Sequence, residues 1–296
     1  MPNAMSVARR LGPAVALLAA LVLPACTRGT AVSEDDAATL ARTAEAHAHD
    51  TPVATPAATT PPRVAVTGAN VVYATVGGKP VTGYLARPKG SDRKKLPALI
   101  VIHEWWGLNA NVRDEAERLA GEGYVALAVD LYQGVTADAP PAAMKLSRGL
   151  TENPGPAEDN LKQAYAYLTQ DLRAPRVGTI GWCLGGRWSF RTAQLFPADV
   201  DATVIYYGSV KADDADVAKL RMPVLGLFGS KDRVVPLPMV QAFETQAQRL
   251  GRDVTIKVYE GADHAFANPS GTAYDAPAAE DAWARTTAFL AANLKR

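Results

Sequence analysis

Val177-Gly178-Thr179-Ile180-Gly181-Trp182-Cys183-Leu184-Gly185-Gly186-Arg187-Trp188 joins an apolar run to a helical stretch through a bend crowded with glycine. Val177 to Ile180 is short and unbroken, as in a strand buried on both faces of a parallel sheet. Leu184 to Phe196 carries helical spacing. A strand that turns this sharply into a helix forces the residue at the bend toward a strained backbone region, and Gly181 and Gly185 remove Cβ atoms that would collide with it. Cys183 is then presented above the sheet at a helix N-terminus, where backbone N–H groups and the helix dipole favour thiolate over thiol.

Outward from that bend the same alternation repeats. Ala98 to Ile102, Val125 to Val129, Ala202 to Tyr206, Val224 to Phe228 and Val254 to Val258 each read as a buried parallel strand. Helical stretches at Val112 to Gly121, Ala157 to Thr169, Met239 to Leu250 and Ala278 to Leu294 separate or follow them. Upstream, Val71 to Thr75 and Val81 to Ala86 flank Gly77-Gly78, the pattern of an antiparallel hairpin. The expected fold is α/β: a mostly parallel, doubly wound sheet with helices on both faces and an N-terminal hairpin, spanning residues 63–296. In such sheets the working site lies at the carboxyl ends of the strands.

Those ends carry His103-Glu104-Trp105-Trp106-Gly107, Asp130, the Cys183 bend, Gly208, Gly229-Ser230-Lys231-Asp232 and Gly261-Ala262-Asp263-His264. A G-x-C-x-G-G turn between strand and helix is the setting of the nucleophile elbow of α/β hydrolases, with Cys in place of Ser. The chain order nucleophile, acid, His is also that of α/β hydrolases, and here it reads Cys183, Asp232, His264. His264, in a glycine-containing loop, can reach Cys183 as general base, and Asp232 can hold the imidazole's tautomer. His103 competes as the base, although it precedes the nucleophile; Asp130 and Asp263 compete as the acid.

Residues from about Val71 to Leu294 resemble the dienelactone hydrolase family of α/β hydrolases through four motifs: His103-Glu104-x-x-Gly107, Gly181-x-Cys183-x-Gly185-Gly186, Gly229-x-x-Asp232-x-x-Val235-Pro236 and Gly261-x-x-His264-x-Phe266. The resemblance implies a Cys183–His264–Asp232 triad, with Glu104 touching the resting thiol until substrate displaces it. It also implies an oxyanion hole of the Leu184 and Trp105 backbone N–H groups. Trp106, Trp182, Phe266 and Asn268 fall around the expected acyl pocket. Family members that cleave carboxylate-bearing dienelactones hold that carboxylate with two Arg residues. The corresponding neighbourhoods here, Asp130-Leu131-Tyr132-Gln133-Gly134 and His264-Ala265-Phe266-Ala267-Asn268, contain none, so a carboxylate-bearing lactone is expected to bind poorly. Arg187 and Arg113 read more simply as a surface charge or an ion pair than as substitutes.

The rest of the chain bounds this expectation. With 31 Lys+Arg against 30 Asp+Glu in 296 residues there is no basic footprint for nucleic acid. Two cysteines, Cys26 and Cys183, exclude a disulfide scaffold and a cysteine-based zinc cluster. Residues 1–26 read as an export signal, with Arg9 and Arg10 before the apolar run Ala14 to Leu23. The run ends in Leu23-Pro24-Ala25-Cys26, which resembles a bacterial lipoprotein box and makes Cys26 a lipid anchor. Residues 27–62, rich in Ala, Thr and Pro, read as a disordered tether. Within it His47-Ala48-His49-Asp50 is able to bind a metal weakly but reads more simply as solvated linker, since no third metal ligand stands near in sequence.

The expectation is therefore an exported, periplasmic or envelope-anchored bacterial hydrolase of small carboxylic esters or lactones. It works through a thioester on Cys183, as a monomer, without metal or organic cofactor. A non-catalytic, ligand-binding envelope lipoprotein on the same fold is the alternative, and acyl transfer to an acceptor other than water is a third.

Overall fold

The computed structural model describes residues 33–52, 60–92 and 95–295. The expected export signal, the Cys26 box and parts of the expected tether lie outside the described residues.

One departure comes first in the chain. The stretch expected as a disordered tether contains a helix, α1 (Glu34–Ala46). Its local chemistry is sound: Ser33 caps it by accepting from the Asp36 N–H, and Glu34, Asp35 and Asp36 stand at its positive end. Leu40 and Thr43 are buried, α1 packs against the helix at Pro140–Glu152, and Asp36 pairs with Arg187 at 3.0 Å. The alanine-rich sequence supplies helix propensity. It offers only one large apolar residue, Leu40, and that is why periodicity did not reveal the helix.

The hairpin β1 (Val66–Val76) and β2 (Lys79–Pro88) begins an eight-stranded sheet. β2 runs antiparallel to β4 (Val125–Val129); β3 (Ala98–Ile102), β5 (Val177–Trp182), β6 (Ala202–Tyr206), β7 (Val224–Gly229) and β8 (Val254–Tyr259) continue it in parallel. The order is β1-β2-β4-β3-β5-β6-β7-β8. Every residue of β3, β4, β5, β6 and β7 is buried, the physical counterpart of their unbroken apolar sequences. β8 does not share that burial: it is an edge strand, Thr255 is exposed, and Thr255 and Lys257 make its sequence alternate.

The crossovers are α2 (Ala110–Gly121), α3 (Pro140–Glu152), α4 (Gly155–Ala166) with a π-turn over Tyr167–Asp171, α5 (Leu184–Leu195), the short α6 (Asp214–Val217) and α7 (Leu237–Arg249). α8 (Ala276–Leu294) closes the chain. No helix among the described residues is long and apolar enough to cross a membrane.

Candidate active site

Cys183 sits between β5 and α5 at φ 53° and ψ −116°, a conformation that costs a residue with a side chain about 1–3 kcal/mol. The neighbouring glycines make the bend possible. A Cβ on Gly181 would lie 2.2 Å from the Gly185 carbonyl oxygen, and one on Gly185 would lie 2.1 Å from that of Ile102. The Cys183 N–H donates to the Tyr206 carbonyl at 3.0 Å, which ties the strained residue to β6. Leu184 is the first residue of α5, where backbone N–H groups have no acceptor within the helix, and Trp105 lies in the turn after β3.

The loop after β8 brings His264 Nε2 to 3.2 Å from Cys183 Sγ. Its Nδ1 is 2.8 Å from Asp232 Oδ2, and Asp232 Oδ1 accepts from the N–H groups of Val234 and Val235 at 2.7 and 2.8 Å. All three side chains are buried. The competing acids are engaged differently. Asp130 accepts from the N–H groups of Tyr132 and Gly134 within its own turn, and Asp263 is exposed. His103 spends Nδ1 on the Glu104 carbonyl and Nε2 on the Leu131 N–H, a structural role.

Electrostatics follow from this packing. Burial opposes ionisation of Cys183, but the charge and hydrogen bond of His264, with help from His47, bring the thiol down to about 6. Burial also opposes protonation of His264, and the Asp232 and Cys183 charges overcome it, holding the imidazole well above its ordinary value. The geometry thus favours an imidazolium–thiolate pair.

Glu104 is pushed up to about 8, first by burial and then by the Cys183 charge. Its carboxyl is turned to the Asn268 side-chain N–H at 2.7 Å and the Tyr207 hydroxyl at 3.5 Å. The expected Glu104–thiol contact is therefore replaced: the sulfur faces two imidazoles.

The second is His47, which the sequence placed in a solvated linker. It is 1% exposed, and its Nε2 lies 4.0 Å from Cys183 Sγ. Its Nδ1 is 2.7 Å from Asp50 Oδ2, while Asp50 Oδ1 accepts from the backbone N–H and hydroxyl of Thr272 at 2.9 and 2.7 Å. Burial pulls His47 down, but Asp50 and Cys183 outweigh it and raise it to about 9. The Ser33-Glu34-Asp35-Asp36 cap was the signal that could have announced the ordered segment carrying His47.

The Trp105 ring lies tilted at 4.9 Å from that of His47, and the Trp106 ring stands edge-on at 6.4 Å. Phe266 is fully buried between Tyr207 and Tyr259, a packing role. Trp182 and Asn268 line a separate cleft with Glu104. A cavity of about 30 Å³ reaches Cys183 and His264 beneath Thr39, Leu40 and Thr43 of α1. It has room for roughly two water molecules, so α1 narrows the approach to the sulfur and the imidazole.

Residues 81–294 match the model of the dienelactone hydrolase family. "Protein usf" of Aquifex pyrophilus is 36% identical over 72% of the chain and 94% of its own length. A protein of Aquifex aeolicus named "Putative carboxymethylenebutenolidase" is 33% identical over 74% and 96%. Among solved structures, that titled "Putative Dienelactone Hydrolase" from Klebsiella pneumoniae superposes with a TM-score of 0.68 at 29% identity, covering 77% of this chain and 99% of that one. His47 and its segment precede the matched region. The chain belongs to the dienelactone hydrolase family, a family of carboxylic-ester and lactone hydrolases.

Proposed function

We propose that the protein hydrolyses small, neutral carboxylic esters or lactones through a Cys183–His264–Asp232 triad and a thioester on Cys183. The observation that carries this is the continuous Sγ–imidazole–carboxylate chain, 3.2 and 2.8 Å long at its two links, beneath a strained bend. The thiolate attacks the carbonyl carbon, and the electron pair moves onto the carbonyl oxygen. The Leu184 and Trp105 N–H groups are the proposed donors to that oxyanion. As the tetrahedral centre collapses, the C–O bond breaks and the His264 imidazolium gives its proton to the leaving alkoxide. Neutral His264 then takes a proton from water, which attacks the thioester and releases the carboxylic acid and the thiolate.

Neutral substrates are favoured because the two arginines that could pair with a substrate carboxylate are occupied: Arg187 pairs with Asp36, and Arg113 donates to Asn70. Cys183→Ala should abolish p-nitrophenyl acetate hydrolysis; undiminished turnover refutes the triad. A screen should show better turnover of short neutral esters than of a carboxylate-bearing dienelactone.

The small cavity under α1 favours one second reading, a closed protein that binds a ligand without turning it over. Rapid iodoacetamide labelling of Cys183 near neutral pH, together with ester turnover, eliminates that reading.

Export and lipid attachment at Cys26 complete the proposal, supported by the charged-apolar-Cys pattern of residues 1–26. Metabolic labelling with radioactive palmitate should mark the full chain and not its Cys26→Ala variant; equal labelling of both contradicts the anchor.

A further inference from the structure

His47-Ala48-His49-Asp50 lacks a third metal ligand in sequence, yet the fold supplies two more. Cys183 Sγ, His264 Nε2 and His47 Nε2 lie within 4.8 Å of one another, and all three residues are buried. The two sulfur–nitrogen separations are 3.2 and 4.0 Å. Zinc–sulfur and zinc–nitrogen bonds of about 2.3 and 2.0–2.1 Å in a tetrahedron span a sulfur–nitrogen edge of about 3.6 Å. The observed pair brackets that edge, and the two Nε2 atoms, within 4.8 Å of each other, would have to draw together toward the matching nitrogen–nitrogen edge of about 3.4 Å for the site to close.

The surroundings are those of a ligand set. Each imidazole turns Nε2 inward because Nδ1 is held by a buried carboxylate, Asp232 for His264 and Asp50 for His47. A carboxylate behind an imidazole fixes the tautomer and orientation that a metal requires. The carboxylates are held in turn, Asp232 by the Val234 and Val235 N–H groups and Asp50 by Thr272. One thiolate and two imidazoles suit a borderline-soft divalent ion, not magnesium or calcium. Three protein donors leave a fourth position for water.

We propose that Cys183, His264 and His47 form a binding site for a soft-to-borderline divalent cation, zinc foremost, which pins the segment of residues 33–52 over the sulfur. On binding, one metal–sulfur and two metal–nitrogen bonds form, and protons carried by the donor atoms pass to solvent. The site stands independently of hydrolysis. Its consequence, that zinc blocks turnover, rests on Cys183 being the nucleophile.

The test uses the untagged full chain carrying Cys26→Ser, which leaves Cys183 the sole thiol in the sequence. Cobalt(II) is titrated as a spectroscopic probe, and zinc is used to displace it. One ion per chain should bind, with a thiolate-to-cobalt charge-transfer band and the visible bands of a tetrahedral ion. Cys183→Ser should remove the charge-transfer band, and His47→Asn should weaken binding by more than ~10-fold. Asp50→Asn should weaken it about 10–100-fold, while His49→Asn, at an exposed position, should change nothing. Circular dichroism checks that each variant is folded. Absence of the charge-transfer band in the parent, or equal affinity in folded His47→Asn, overturns the site. Zinc should also halt p-nitrophenyl acetate hydrolysis, with recovery on adding a chelator. Tight zinc binding without inhibition leaves the site standing and overturns the nucleophilic role of Cys183 instead.

Discussion

Two imidazole–carboxylate pairs converge on one sulfur, and the protein builds them in different ways. His264 and Asp232 stand on loops that leave β8 and β7, strands whose register is fixed by the sheet, and Asp232 is bonded to the backbone at Val234 and Val235. His47 and Asp50 follow a 13-residue helix outside the family-matched region. Buried Leu40 and Thr43, the Asp36–Arg187 pair and the Asp50–Thr272 bonds hold that segment in place. The first pair belongs to the sheet's architecture. The second is an addition that closes the same site, and far fewer interactions oppose its removal.

Four experiments break or sharpen that contrast. The largest effect should come from His264→Ala, which on the proposed mechanism removes general base and acid together and lowers kcat/KM for p-nitrophenyl acetate about 100-fold or more. His47→Asn in metal-free protein should cost much less; an equal or larger loss would mean that the two pairs are catalytic equals. Asp232→Asn should come next, with a fall in kcat at little change in KM, since in the proposed mechanism its carboxylate supports the imidazolium. Asp50→Asn should instead act through KM for bulky esters, improving it as the segment loosens.

The pH profile is the third. A thiol lowered to about 6 is ionised at neutrality and becomes protonated as pH falls, so kcat/KM should drop on the acid side near 6. Glu104, raised to about 8, is neutral at pH 7 and becomes an anion beside the thiolate as pH rises, so a second loss should appear near 8. Glu104→Gln should remove the alkaline loss and keep the acidic one; an unchanged profile would detach Glu104 from the reaction. The smallest effect should come from Asp36→Asn. Its ion pair with Arg187 is partly exposed, and thermal unfolding should shift by no more than about 1 kcal/mol in stability. Access of bulky esters should improve a few-fold as the closed population falls. A large stability loss would show the helix to be integral to the domain.

The same contrast explains what the sequence disclosed. Ala98–Ile102, Val125–Val129 and Ala202–Tyr206 run with the limits expected of them, because strands buried on both faces leave unbroken apolar runs. The Cys183 bend was legible because its glycines answer backbone collisions that only Gly can avoid. Asp232 and His264 were legible because each lies in the loop just after a strand. α3 and the short α6 went unread, and the edge strand β8 read as more buried than it is. His47 was hidden for a different reason. Its partners are Cys183, Asp50 and the ring of Trp105, and the two distant ones cannot be inferred from an alanine-rich segment with a single leucine. Glu104 was located, but its bonds to Asn268 and Tyr207 depend on a fold-level contact between remote loops.

The central claim is that one ionised sulfur performs the chemistry, and alkylation tests it most directly. Cys183 should react with iodoacetamide along a pH curve with its midpoint near 6, and ester turnover should disappear in proportion to the fraction of Cys183 modified, as measured by mass spectrometry. A midpoint at the ordinary thiol value of about 8.5, or full turnover by protein whose Cys183 is completely alkylated, would contradict the account.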